Sequence, residues 1–286
     1  MKKCNIDRSH YLFDNQALVS LILPLIIEQL LTVLVGMADS IMVANVGEAA
    51  VSGVSLVDQI MVLLINIFAA LATGGAVVAG QYLGQKNKEQ ACKSTTQLMW
   101  SMGFISLVIT AFVYACKYWI LHGVFGQIEA DVMHHADVYL LIVTASIPFI
   151  ALYNGGAAVF RAMGNSEVSM KGSLLMNAIN VSAILIYGFH CGTEGVAIPT
   201  LVSRFVAAFI IIKLLLKDKW SLHLERTYRF NPDWSMIRKI LSVGIPNGLE
   251  NSMFQLGKVL VGIVGLDPQH GLEVLFVADD DIHVGH

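Results

Sequence analysis

The sequence predicts an all-α, polytopic membrane protein, and three observations carry that prediction. Of its 286 residues 56% are hydrophobic and only 14% are charged, where a soluble domain usually carries about 25% charged residues. Mean hydropathy is +0.66. The charges also cluster between apolar runs, each long enough for the ~20 residues that a membrane-spanning helix needs. Seven spans follow, at about 17–43, 51–80, 96–121, 136–161, 168–190, 194–216 and 240–264. A polar segment (1–16) precedes them, and the first apolar run is too long for a cleaved signal.

Basic residues set the expected orientation. Lys2, Lys3 and Arg8 precede the first span; Lys86, Lys88 and Lys93 follow the second; Arg161 and Lys171 flank the loop after the fourth. Lys217, Lys219, Arg226, Arg229, Arg238 and Lys239 crowd the loop 217–239. Alternate loops hold almost none, Lys117 excepted. The N-terminus is therefore expected in the cytoplasm, in a plasma (inner) membrane, with the tail outside. A net charge of −3 and the lack of a basic face give no reason to expect a nucleic-acid partner; membrane lipid is the expected surrounding. Oligomeric state is not legible. Cys4, Cys92, Cys116 and Cys191 match no zinc spacing and read as free thiols.

The first span contains PLIIEQLLTVLVGMADSIMV, with a proline, Pro24, and two acids, Glu28 and Asp39. An acid in the hydrocarbon layer costs roughly 2.5–3.5 kcal/mol by insertion scales. At ~100° per residue the two fall about 20° apart on one face, with Thr32 and Gly36 between them. Such a polar stripe is expected to line a cavity. The second span is rich in small residues at its inner half, which let helix backbones approach closely. Its Ser52, Gln59, Asn66 and Thr73 share one face, read either as a second cavity wall or as interhelical hydrogen-bond glue. Asp58 is expected near the outer interface. The third span, ending near Trp119, reads as an interface-anchored helix. The fourth has Pro148 at mid-span, Asn154, and Arg161 at its inner end. Asn177, Asn180 and Ser182 lie on the fifth. The sixth holds Thr200 and Arg204, the latter too deep to snorkel and expected to neutralise the acidic stripe. His122, His134 and His135 read as solvated.

An echo then appears. ILPLIIEQLL opens the first span and GIPNGLENSM opens the seventh, each with a Glu four residues after a Pro (Pro24/Glu28, Pro246/Glu250). Six spans separate them, so the second copy enters the membrane in the same direction, as in a parallel repeat. The expected organisation is a cytoplasmic segment (1–16), a six-helix lobe (17–216), an inter-lobe loop (217–239) and the first helix of a second lobe (240–264), with the chain truncated there. The tail (265–286) departs from that pattern and includes LEVLF, the start of a commonly engineered protease site.

The runs GGAVVAGQYLGQKNKEQA (74–91), YLLIVTASIPFIALYNGGAAVFRAMGNS (139–166) and ILSVGIPNGLE (240–250), together with MADSIMV in the first span, resemble the multidrug and toxic compound extrusion (MATE) family. The likeness covers about residues 12–264, and the stretch ending FRAMGNS is its most distinctive part. The resemblance implies a twelve-helix, two-lobe secondary transporter that exports cationic and amphipathic compounds in exchange for protons or sodium. It places the family's first-helix Asp on Asp39 and its sixth-helix Thr on Thr200. On the fifth helix the family's Asp position is Ser182 and its Asn position is Ala178, with Asn177 and Asn180 near but out of register. That incomplete sodium set favours the proton as coupling ion at Asp39, sodium staying open, with Asn180 able to compensate. Gln59, Asn66, Asn177, Arg204 and Glu250 are cavity-lining candidates. Glu28 is divided evenly between proton carrier and structural acid paired with Arg204 or Lys258. No cofactor is expected, and no enzyme: His-Glu-x-x-His, Gly-x-Ser-x-Gly and phosphate-loop motifs are absent. The alternatives are a lipid-linked oligosaccharide flippase of the same superfamily and a truncated fragment that transports nothing.

Overall fold

The computed structural model describes residues 15–44, 46–124, 129–187, 193–224 and 233–265, and these form helices joined by turns. The helices are α1 (Asn15–Ala44), α2 (Glu48–Gly84), α3 (Lys88–Ala115), a short α4 (Lys117–Trp119) running into a π turn (Ile120–Val124), α5 (Ala130–Thr144), α6 (Ile147–Ala162), α7 (Ser166–Tyr187), α8 (Glu194–Leu215) and α9 (Trp234–Gly265). The all-α bundle expected from the sequence is what is found. By length and apolar composition α2, α3 and α8 each suffice to cross a membrane, and α5 with α6 makes a bent fourth crossing. Residues 1–14, Cys191 and the 266–286 tail, on which expectations above also bear, lie outside the described residues.

Two spans differ from expectation. The third stops at Ala115, and α4 with the π turn finishes the run. The fourth is broken: α5 and α6 meet at 48° around Ala145 and Ser146. Pro148 therefore does not kink a continuous helix. It sits in the first turn of α6, where an N–H has no intrahelical acceptor and a fixed φ suits the helix.

The second helix forms the centre, packed by α3, α5, α6 and α9. Its small residues are what permit this. A Cβ at Gly74 would lie 2.6 Å from the backbone nitrogen of Gly244 on α9, so that crossing brings backbone against backbone. No side chain could swing away to relieve it. With little hydrophobic driving force between helices in lipid, such close packing is what holds them together.

The FRAMGNS stretch closes α6 with a Schellman turn. Gly164 adopts φ +77°, its N–H donates to the Arg161 carbonyl at 2.9 Å, and the Asn165 N–H donates to the Phe160 carbonyl at 2.9 Å. Glycine is favoured there because a Cβ disfavours the left-handed conformation. The turn leads directly into α7 and fixes the geometry between the two helices.

The loop after α8 is packed at its start. Leu222 is fully buried, its N–H meets Met163 Sδ at 3.2 Å, and Trp220 stands edge-on to Phe160 at 5.3 Å between ring centroids. At the start of α9, Asp233 accepts from the Ser235 and Met236 amides and pairs with Lys93 Nζ at 2.9 Å. The Lys93 hydrogen bond, then that of the Met236 amide, holds this carboxyl below the usual carboxylate range.

Candidate functional site

The lobe's polar residues gather at three levels. Nearest the end that carries the chain's N-terminus, Glu28 of α1 turns inward toward α6 and α7. Ser169 Oγ lies 2.9 and 3.2 Å from its two carboxylate oxygens and donates to them. Arg161 Nη1 donates to Ser169 Oγ at 2.9 Å and stands 3.7 Å from Glu28 Oε1. The Tyr153 hydroxyl donates to the Ser169 carbonyl at 3.1 Å. Glu28 is thus an acid with a counter-ion, and the counter-ion is Arg161, not Arg204. Lys258 lies outside the described side chains. Thr32 and Gly36 remain exposed, so the stripe expected on the first span is split, with Glu28 turned into the lobe.

At mid-depth, Thr200 Oγ1 on α8 lies 3.0 Å from the Val196 carbonyl and 3.3 Å from Asn180 Oδ1 on α7. Both residues are buried, as is Asn177. The Nδ2 groups of Asn177 and of Asn154 on α6 are buried without a hydrogen-bond partner, which leaves two donors unspent where each costs roughly 1–3 kcal/mol. Ser182 is exposed. Two residues beyond Asn180 it is turned about 200° round the helix, so the structure does not bring it to Thr200.

The Asp39 side chain lies outside the described part of α1, but the helix fixes its level. Glu28 and Ser169 are 141 residues apart in sequence. The first and seventh helices pack against each other and run in the same direction, so the same offset carries Asp39 onto the level of Asn180. That level is about 16 Å beyond Glu28 at 1.5 Å per residue.

The third cluster surrounds the break between α5 and α6. Arg204 Nη1 donates to Ser146 Oγ at 2.7 Å, and the Tyr139 hydroxyl donates to Asp58 Oδ1 at 3.0 Å. The Arg204 charge acts on Asp58. Asp58, expected near the outer interface, is a half-buried acid hydrogen-bonded to Tyr139; of the first-span acids, Glu28 has Arg161 as its counter-ion, and the Asp39 side chain lies outside the described residues. His135 is likewise half-buried, with Nδ1 2.6 Å from Thr193 Oγ1, and not simply solvated.

On α2, Ser52, Gln59 and Thr73 are exposed and Asn66 is half-buried; Glu250 of α9 is exposed. Ser52, Gln59 and Glu250 stand on open faces, and Thr73 borders a cavity. Between α2 and α6 a cavity of about 310 Å³ is lined by Thr73, Ala76, Val77, Gly80, Ala158, Arg161 and Ala162. Among the described residues no group of three or more His, Cys, Asp or Glu could hold a metal ion.

Sequence reading missed the stripe on α7. Ser166, Ser169, Ser173, Asn177 and Asn180 are all buried. Their spacing of three or four residues is one helix face, and that spacing was the available signal. Ser182 falls off it.

The MatE family model matches residues 24–187. An uncharacterized transporter, YisQ, of Bacillus subtilis is 29% identical over 86% of this chain and 54% of its own length. A probable multidrug resistance protein, NorM, of Thermotoga maritima is 26% identical over 94% of this chain and 56% of its own. A solved structure of MATE in complex with MaD3S superposes with a TM-score of 0.81 at 22% identity, covering 88% of this chain and 56% of that one. The chain thus spans about half the length of the relatives it matches. Its helical lobe, its polar levels and the matched stretch from Pro24 through α7 place it in one family: this chain belongs to the MATE (MatE) family of membrane transporters.

Proposed function

We infer that the chain forms the first lobe and the start of the second lobe of a secondary multidrug antiporter. It would export small cationic or amphipathic compounds across the plasma (inner) membrane, with its N-terminus in the cytoplasm, in exchange for protons. Asp39 is the coupling carboxylate, with Asn180 and Thr200 as its polar surroundings. The observation that carries this reading is the buried Asn180–Thr200 pair at the level of Asp39, beside the unspent amides of Asn177 and Asn154. The seventh helix supplies only hydroxyls and amides to its buried face from Ser166 to Asn180. One carboxylate among neutral groups is enough for a proton, whereas the sodium set implied by the family resemblance has a second acid at the position that Ser182 holds here.

Coupling needs only competition. A single negative charge holds a proton or attracts a cationic substrate, and each ligand shifts the protein toward the state it binds better. Pro24 gives the same helix a hinge, because proline leaves the carbonyl one turn earlier without its donor. MATE structures described as straight and as bent superpose on this chain, which supports bending as the motion. The test is proton release. Adding tetraphenylphosphonium to the intact protein in weak buffer should release about one proton per substrate bound, and Asp39→Asn should abolish the release. Substrate binding with no proton release in the unsubstituted protein would overturn the reading.

A further inference from the structure

We propose that Glu28, Ser169 and Arg161 form a fulcrum clamp, positioning residues that tie α1 to the α6–α7 turn just beyond the Pro24 hinge. The clamp lets Asp39 swing past Asn180 without the whole helix sliding. It rests on the reading of Asp39 given above.

Distance along the helix decides why the tie stands where it does. Glu28 is four residues past Pro24 and Asp39 is fifteen, about 6 Å and about 22 Å along the axis. A bend of about 20°, the size at which a helix counts as sharply kinked, displaces them by about 2 Å and about 8 Å. Rotamer changes in a Glu and an Arg can follow 2 Å. No side-chain hydrogen bond follows 8 Å. A permanent charged tie on α1 is therefore compatible with bending only close to the hinge, and that is where this one stands.

The platform on the other side is stiff. Arg161 is in the last turn of α6 and Ser169 in the first of α7, and the Schellman turn through Gly164 fixes one against the other. Tyr153 holds the Ser169 carbonyl from within α6. Both Glu28 oxygens face Ser169 Oγ. The titratable groups facing Glu28 from α6 are Arg161 and Tyr153. On α7, Glu167 and Lys171 are exposed and pair with each other at 2.6 Å.

The experiment places spin labels at Leu34 of α1 and Ile198 of α8, both exposed, in the intact protein. It compares the unsubstituted protein, Asp39→Asn, Glu28→Gln and the double variant. The clamp predicts that Glu28→Gln widens the distance distribution at least twofold. Tetraphenylphosphonium affinity should stay within twofold, while gradient-driven transport falls at least tenfold. A distribution as narrow as the unsubstituted protein's, or a parallel loss of affinity and rate, overturns the clamp. Should Glu28→Gln not fold, Arg161→Lys carries the same predictions. The coupling reading fails separately, if Asp39→Asn leaves the mean distance unchanged.

Discussion

The two acids of α1 stand in opposite circumstances. Glu28 is surrounded by a complete set of partners: a hydroxyl on both oxygens, a guanidinium behind it and a phenol steadying that hydroxyl's backbone. The level of Asp39 offers the Asn180 amide and the Thr200 hydroxyl, and the amide nitrogen of Asn177, one turn before Asn180, has no hydrogen-bond partner. A satisfied buried network resists change, and an under-satisfied one has capacity for a ligand. Position on one helix face suggested a shared role for the two acids. Their surroundings differ, and under the reading proposed above one is an anchor and the other the exchanger.

The comparison is broken most strongly at the anchor. Arg161→Ala leaves Glu28 without its counter-ion. Removing one partner of a buried pair costs about 3–5 kcal/mol, and with Arg161 about one-third exposed the expected loss is about 1–3 kcal/mol. Thermal unfolding in detergent measures it, and an unchanged midpoint would mean that the pair holds nothing. At the exchanger the pattern should invert. Asn177→Leu replaces an unpartnered buried amide with an apolar group of similar size, so stability should hold or rise by about 1 kcal/mol. Transport should nonetheless fall. Thr200→Val removes one hydrogen bond to Asn180, costing about 1 kcal/mol, with a loss of roughly tenfold in transport rate at unchanged folding. Ser182→Ala should alter transport less than twofold, and a larger loss would restore Ser182 to the site.

The smallest effect lies outside the membrane. The lowered Asp233 carboxyl contributes stability that is fully present above the ordinary carboxylate range and is lost as pH falls through its folded value. Asp233→Asn should therefore lower stability slightly at neutral pH and converge on the unsubstituted protein at low pH, which flattens the acid limb of a stability–pH profile.

Much of this was legible because it is local. Apolar run length gave the helices, the Pro24–Glu28–Asp39 spacing gave one face, and the FRAMGNS run marked a turn whose Gly164 needs positive φ. Partnerships between helices were not legible. Arg204 had several acids within conceivable reach, and only the packing of α8 against the α5–α6 break shows that it donates to Ser146. Pro148 in an apolar run reads equally as a kink or as a helix start, and the break at Ser146 decides for the start. The buried stripe of α7 is easily passed over because serine is common at helix ends, and the sequence reading gave Ser169 no role. Ser182 stands where the family pattern has an Asp and is exposed, while Asn180, also expected in the site, is buried.

The central claim is that Asp39 couples the gradient to transport, and one measurement meets it directly. Reconstitute the intact protein and its Asp39→Asn variant in liposomes and impose a proton gradient. Then follow ethidium or tetraphenylphosphonium accumulation, with binding checked in parallel. The account predicts substrate binding in both proteins and accumulation above the passive level only in the unsubstituted one. Accumulation against the gradient by Asp39→Asn would contradict it.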